Sequence, residues 1–403
     1  MSAPPDKLQK AGEELLNRAK DIVNNSNSND LYSVVAVIMI ITILLLFFSW
    51  FFSILNLKDT NCNNYKYNFS RLTSFNNIRY KQLPLSISTP TDYNDPYKGI
   101  LRNFYIKTAY NCCNAGGYKN NWVNICAMTY ALKLGARCLD FEIYSIENMP
   151  VVASSINTNF SIKETFNYLP LEDVLDVIIN GNDEDYQGAF SNLNKDPLIL
   201  HFRIKSENKK MYENMTVLLT KTLLNTGYLI NNNNIDRNNI QLIPLNLRKN
   251  SGLTSNLSEK IILMANVKNN SLLTQSGLDN LINIRSGIDS HLISIDNINS
   301  KNDTLIKNNS KNKLIFVTPS FKNDVNNYDF TNAYTNGCQL IAMKFQNYDN
   351  NLQNYLKLFK EHSQGYSFCL KHSTLRKDLV PPDTPEAGIA ATPMTLPESA
   401  PGT

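Results

Sequence analysis

The sequence predicts an α/β fold, a (β/α)8 barrel of TIM type preceded by one transmembrane helix. Three observations carry that expectation. An uncharged apolar run, Leu31 to Leu57, is long enough to cross a bilayer core. Across residues 96–377 about eight apolar strand-like runs alternate with helical patterns. That stretch, at about 280 residues, has the size of a single barrel.

Composition narrows the class. The 403 residues are 42% hydrophobic and 18% charged, so the chain can bury a sizeable core and is not globally disordered. A net charge of +4 is weak over this length. It excludes an acidic solvating protein and speaks against a dense basic face, so no nucleic-acid partner is expected. The 59 asparagines gather in loops and in runs such as Asn231 to Asn234. They read as the mark of AT-rich coding sequence rather than of a function. Seven cysteines are too few for a disulfide scaffold, and they leave the redox compartment open. No CxxC pair and no Cys/His set has zinc spacing.

The elements follow in order. Within residues 1–30, Leu8, Ala11, Leu15, Ala19, Ile22 and Val23 keep a helical period. They read as a short amphipathic lead-in to the membrane rather than as a partner-binding helix. Residues 31–57 are the span, with Tyr32 and Trp50 toward its ends, and the lipid bilayer is its partner. A cleaved signal peptide fits less well, because the run is long and follows a polar stretch. Arg18 and Lys20 on one flank balance Lys58, Lys66 and Arg71 on the other, so charge does not choose an orientation. Asn-x-Ser/Thr sequons, as at Asn68, Asn159 and Asn214, are expected by chance in so Asn-rich a chain. Residues 58–95 are polar with scattered aromatics and read as a linker or irregular layer. Residues 378–403 are rich in Pro, Ala and Thr, lack aromatics and read as a flexible tail.

Between these, strand-like runs occupy 104–110, 137–144, 150–154, 197–204, 260–267, 313–319, 338–345 and 366–370. Helical patterns occupy 123–136, 170–179, 211–226 and 351–362. Two Asn-rich stretches, 231–239 and 296–312, read as interrupting loops. The first half of the barrel is placed at about 96–230 and the second at about 255–377.

Several of these segments, in order, resemble the catalytic barrel of phosphoinositide-specific phospholipase C, a PLC-like phosphodiesterase. LRNFYIKTAYN (101–111) is similar to the opening strand that ends Ser-Ser-His-Asn, and LGARCLDFEIYS (134–145) to the Gly-Cys-Arg-Cys-Leu-Glu-Leu-Asp strand. MPVVASS (149–155), LPLEDVL (169–175) and DPLILHFRI (196–204) resemble the strand of the second His, the helix after it and the strand of a third acidic residue. In the second half, NNYDFTNAYTNGCQLIAMKFQ (326–346) and GYSFCLKHSTLR (365–376) resemble the Asn-Tyr-x-Pro, Gly-Cys-Gln and Gly-Tyr-Val-Leu-Lys-Pro segments. The resemblance covers most of 100–377.

The family's chemistry uses two histidines and a calcium ion held by an Asn and three carboxylates. Carried over by resemblance, the first His is Tyr110 and the second Ser154 or a neighbour. Neither group exchanges a proton readily near neutral pH. Asn111 is kept, and Asp140 and Glu142 match two acidic residues with identities exchanged. Their i, i+2 spacing puts both carboxylates on one face of a strand. The third acidic position is Arg203, a fixed cation where calcium needs oxygen ligands. Calcium is therefore expected to be lost, with no cofactor in its place and Arg203 pairing with Asp140 and Glu142. The headgroup-binding positions fall on Phe316, Val317, Thr318 and Pro319 and on Met264 and Asn266.

His201, two residues before Arg203, faces the same side of its strand and could join Tyr110, Asp140 and Glu142 in a new acid–base set. A structural histidine beside an ion pair is the preferred reading. His291, His362 and His372 sit in loop or helix-end contexts. Cys112 and Cys113, after Asn111, read as half-buried thiols or a disulfide rather than a reactive pair. The expectation is thus a membrane-anchored, catalytically inactive phospholipase C-like protein serving as a binding or structural component. The Tyr-Asn-Cys-Cys and Leu-Asp-Phe-Glu-Ile-Tyr motifs resemble a divergent group in large DNA viruses. That resemblance implies a virion or host-derived internal membrane and protein partners there. The alternatives are a calcium-independent phosphodiesterase with a rebuilt site, or a lipid-headgroup receptor that does not hydrolyse.

Overall fold

The computed structural model describes residues 13–14, 17–18, 20–21, 28–76, 99–157, 162–181, 186–190, 196–232, 237–243, 257–299, 301–320, 324–363 and 367–379. The apolar positions expected to make the lead-in amphipathic, and the tail from residue 380, lie outside them. The chain divides into two compact units, Met1–Thr60 and Asn61–Thr403.

The first unit is dominated by the start of one long helix, α1 (Ser28–Asn76). It contains a stretch long and apolar enough to cross a membrane, by length and composition. Its Val, Ile, Leu, Phe and Trp side chains between Val35 and Leu55 are largely exposed, a larger apolar surface than a protein leaves in water without purpose. The helix does not stop at Leu57. No proline or glycine occurs between Asp30 and Leu83, so nothing in the chain breaks it. Residues 58–76, expected as a linker or irregular layer, are its polar continuation.

The second unit is the barrel. It is built in order from β1 (Phe104–Ile106), β2 (Thr108–Ala109), α2 (Ile125–Lys133), β3 (Cys138–Ile146), β4 (Met149–Ala153), β5 (Leu169–Pro170) and α3 (Leu171–Asn180). β6 (Leu198–Ile204), α4 (Lys209–Leu219), α5 (Arg237–Ile240), β7 (Ile261–Val267), α6 (Asn270–Gln275), β8 (Ile284–Arg285) and β9 (His291–Ser294) follow. The last elements are α7 (Asp303–Asn312), β10 (Ile315–Thr318), α8 (Thr331–Thr335), β11 (Leu340–Met343), α9 (Asn350–Ser363) and β12 (Phe368–Leu370).

Among the described residues, eight strands pair in parallel in the order β8-β7-β6-β3-β2-β11-β10-β9. At the seam between β8 and β9 the Ser286↔Ser290 bridge joins the two runs. The fold is the expected TIM-like barrel, but its strands are not quite the eight expected. The run 104–110 splits at Lys107: β1 pairs antiparallel with β12, and only β2 enters the barrel. The run 150–154 is β4, which folds back antiparallel on β3 as a hairpin. The barrel places expected for 150–154 and for 366–370, which is β12, go to β8 and β9, too short to show a period, and β9 carries His291, which was expected near a loop. Part of the expected loop 296–312 is the helix α7.

Alternation along the strands separates two cores. Leu139, Phe141, Leu200, Phe202, Leu263, Val317 and Ile341 point outward and pack under the helices. Cys138, Ile199, Ile262, Met264, Phe316, Leu340 and Ala342 point inward and fill the barrel. Each fully buried aliphatic or aromatic side chain contributes about 1.5–3 kcal/mol. Two of these strands carry charge inward above that apolar floor. Within the same unit, the end of α1 packs against α2. Tyr65 stacks on Tyr130 with ring centroids 6.0 Å apart, and Phe69 approaches the same ring at 5.5 Å. Cys62 is disulfide-bonded to Cys126, 64 residues on. A crosslink over that separation is worth about 4 kcal/mol on the chain-entropy model.

Candidate functional site: a charge cluster inside the barrel

β3 and β6 are neighbours in register, with Asp140 opposite His201 and Glu142 opposite Arg203. The period of two turns all four side chains inward, one rung above the other. Sequence alternation alone therefore builds half of the site; pairing of the two strands completes it.

Arg203 is the hub. Its Nε donates to Asp140 Oδ1 at 2.9 Å and its Nη2 to Asp140 Oδ2 at 2.8 Å, a bidentate pair. Nη1 donates to Glu142 Oε1 at 2.8 Å, and Nη2 also to Asn111 Oδ1 at 2.7 Å. The guanidinium lies 4.5 Å from the centre of the Tyr110 ring. The carboxylates are satisfied from other sides as well. Asp140 Oδ2 accepts the backbone N–H of Asn111, and Glu142 Oε2 accepts from Tyr144 Oη and the backbone N–H of Ser155. Asn111 holds a positive φ of 40°, a conformation asparagine tolerates better than most residues.

His201 sits one rung deeper. Its Nδ1 is 2.9 Å from Asp140 Oδ1, and its ring packs on Phe316 at 4.1 Å. A carboxylate only accepts, so the shared hydrogen belongs on Nδ1. That leaves Nε2 bare, and it has no hydrogen-bond partner. Burial lowers the His201 pKa, and Arg203 lowers it further, against the opposing pull of Asp140. Burial by itself would raise Asp140, but Arg203 and His201 outweigh it and hold the carboxyl well below its usual range. Burial disfavours the Arg203 cation, yet Asp140, Tyr110 and Glu142 together raise its pKa. Burial pushes the Tyr110 phenol up, with Arg203 opposing.

The structure thus brings Tyr110, Asn111, Asp140, Glu142, His201 and Arg203 together, all buried. Ser154 is apart from the hub: its hydroxyl accepts from Asn114 Nδ2 at 2.7 Å and donates to Tyr118 O at 3.2 Å. Met264 and Phe316 are apolar barrel fill, and Asn266 Nδ2 donates to Ser286 O. Cys112 and Cys113 are buried free thiols, not half-buried and not a disulfide, and burial raises the Cys112 pKa. Tyr144 and the Ser155 amide are members of the site that sequence reading missed. Tyr144 continues the i, i+2 series of Asp140 and Glu142, which is the signal that would have found it.

The donor set does not fit calcium. That ion takes six to eight oxygens, and a typical site supplies several charged ones. Here the Asn111 amide oxygen and both carboxylates already accept from one guanidinium, whose charge would repel a second cation.

The chain is similar to known proteins in two ways. Residues 257–373 match the family model described as phosphatidylinositol-specific phospholipase C, Y domain. That is the second half of the barrel, whereas the charge cluster lies in the first. Among solved structures, PLC21 of L. pealei matches at 17% identity with a TM-score of 0.52, over 73% of this chain and 39% of that one. PLC21 of S. officinalis matches at 16% identity and 0.51, with the same coverage of 73% and 39%. The chain therefore spans well under half the length of these structures. No curated protein matches it. The fold is that of the PLC-like phosphodiesterases.

Proposed function

We propose that this chain is a membrane-anchored, non-catalytic phospholipase C-like protein that acts as a binding or structural component. The observation that carries the reading is Arg203, whose guanidinium ties together the three oxygen-bearing side chains a metal would need. Tyr110 and Ser154 stand at the positions matched to the acid and base, one under the guanidinium and the other engaged in two hydrogen bonds. A general acid or base contributes about 10²- to 10⁴-fold each, so loss of both leaves negligible turnover. The apolar part of α1 supports anchoring. The motif resemblance noted above extends the reading to an assembly in a virion or viral membrane.

A second reading, a rebuilt metal-free phosphodiesterase, draws on the bare Nε2 of His201. That nitrogen is sealed in the barrel interior, since the side chain is 0% exposed. The test is phosphodiester hydrolysis by the full chain in detergent or bilayers, on phosphoinositide vesicles with calcium or with chelator. The expected result is no turnover above background in either. Turnover that His201→Ala abolishes would overturn the non-catalytic reading.

A further inference from the structure

The end of α1 meets the barrel through a set of contacts that the charge cluster does not use. Asn61 Nδ2 donates to Asn121 Oδ1 at 3.1 Å, and Tyr65 Oη donates to Asn114 O at 3.2 Å. Tyr65 is buried against Tyr130, one turn of α2 beyond Cys126. These contacts hold Cys62 and Cys126 with their Cα atoms 6.0 Å apart, and the two are bonded. The bond is thus prepared by packing on both sides. Cys62 follows the end of the apolar run at Leu57 by five positions in the chain.

The other cysteines are arranged in the opposite way. Cys112, Cys113, Cys138, Cys338 and Cys369 are all buried free thiols. Burial raises the pKa of Cys112 and Cys138, pushes Cys338 up to about 12 and Cys369 up to about 11. Such thiols are protected from exchange, because the thiolate is the reactive form. Cys62 and Cys126 are only partly buried. The chain pairs its two accessible cysteines and hides the rest, which is the pattern of a protein that must live with an oxidant.

We infer that the barrel of this chain lies on the oxidising face of the membrane, where Cys62–Cys126 forms as a covalent tie between the stem of the membrane helix and the first helix of the barrel. The inference rests on the anchored reading above. Disulfides persist in oxidising compartments and are rare where thiols are kept reduced. In forming the bond, the Cys62 and Cys126 thiols give two electrons and two protons to the disulfide of a thiol–disulfide oxidoreductase, which becomes a dithiol. The placement has a functional consequence. Anionic phosphoinositides are lipids of the cytoplasmic leaflet, so the barrel stands across the membrane from the family's substrate.

The experiment uses the full chain expressed with its span in animal-cell membranes and sealed microsomes. Free thiols are counted by maleimide mass tagging of the denatured chain, before and after reduction. The expected count is five before and seven after, and one more than the parent before reduction in Cys62→Ser. Protease added outside sealed microsomes should leave the barrel intact and digest it once detergent is present. Seven tags without reduction would overturn the inference, and so would a barrel cleaved in sealed microsomes. Extraction at high pH separates the two readings. Release of the chain would overturn anchoring, while the thiol count still decides the compartment.

Discussion

Arg203 shows how one residue can hold a buried cluster together. A bidentate guanidinium between two buried carboxylates is stable only while every partner remains, because removing one leaves uncompensated charge at a cost of about 3–5 kcal/mol. Arg203→Glu places three carboxylates around Asn111 with no cation between them. The variant should melt well below the parent in chelator and recover part of the loss in millimolar calcium, while the parent ignores calcium. Equal melts for parent and variant in both conditions would contradict the cluster. The pH dependence has a definite sign. His201 is kept neutral in the fold, whereas the unfolded chain takes up its proton near pH 6.5. Below that value the unfolded state binds more protons, so stability falls as pH falls. Asp140, held low in the fold, adds a second loss of the same sign below about pH 4. Urea midpoints from pH 7 to pH 5 should decline in the parent and decline less in His201→Gln.

At the scale of the element, the turn after α3 is the sharpest constraint. Gly181 has φ 81° and ψ −175°, a conformation essentially reserved for glycine. A Cβ there would stand 2.0 Å from the Tyr186 carbonyl oxygen, and backbone cannot step aside as a side chain can. Gly181→Ala should therefore lose at least about 1–3 kcal/mol, read as a lower chemical-denaturation midpoint. An unchanged midpoint would mean that the turn is not held as described. Element identity was legible wherever a period ran long enough. The run 197–204 is mostly apolar and is a strand buried at all seven positions from Leu198 to Ile204. β8, with two residues, has no period to read. β4 looked like a barrel strand because its apolar run is the same whether its neighbour runs parallel or antiparallel. The helix beyond Leu57 was missed for another reason: polar residues hide a helix that only packing of Tyr65 and Phe69 makes worthwhile.

For the whole molecule, two buried lysines tie the antiparallel β1–β12 pair to the ends of helices. Lys107 Nζ donates to Leu134 O just past α2, and Lys371 Nζ to Ser310 O in α7 and to Gly337 O past α8. Burial lowers both to about 7, with Arg137 adding to the effect at Lys107 and Arg102 at Lys371. The unfolded chain holds these protons up to about pH 10.4. Between pH 7 and about pH 8 the unfolded state binds more protons, so stability should rise with pH. Above about pH 8.5 the sign reverses, because burial keeps the thiols of Cys112, Cys138, Cys338 and Cys369, and nearer pH 10 phenols such as Tyr118 and Tyr328, protonated in the fold after they ionise in the unfolded chain. Denaturation midpoints from pH 7 to about pH 8 should rise for the parent and rise less for Lys107→Met. A flat parent profile would show that the lysines are not held as described.

What depends on near neighbours is legible along the chain. An uncharged apolar run makes a bilayer-length helix, and i, i+2 spacing puts Asp140 and Glu142 on one face. The tertiary structure alone decided what depends on pairing across distance. Register between β3 and β6 sets His201 beside Asp140 and Arg203 beside Glu142. Packing of α1 brings Cys62 to Cys126 across 64 residues. Closure of the barrel seals the cluster from water, so that the same carboxylates that could have held a metal are held by a guanidinium instead. The physical reason is that period and composition are written locally along the chain, whereas the partner of a charge or a thiol is chosen by whichever distant segment the packed core delivers to it.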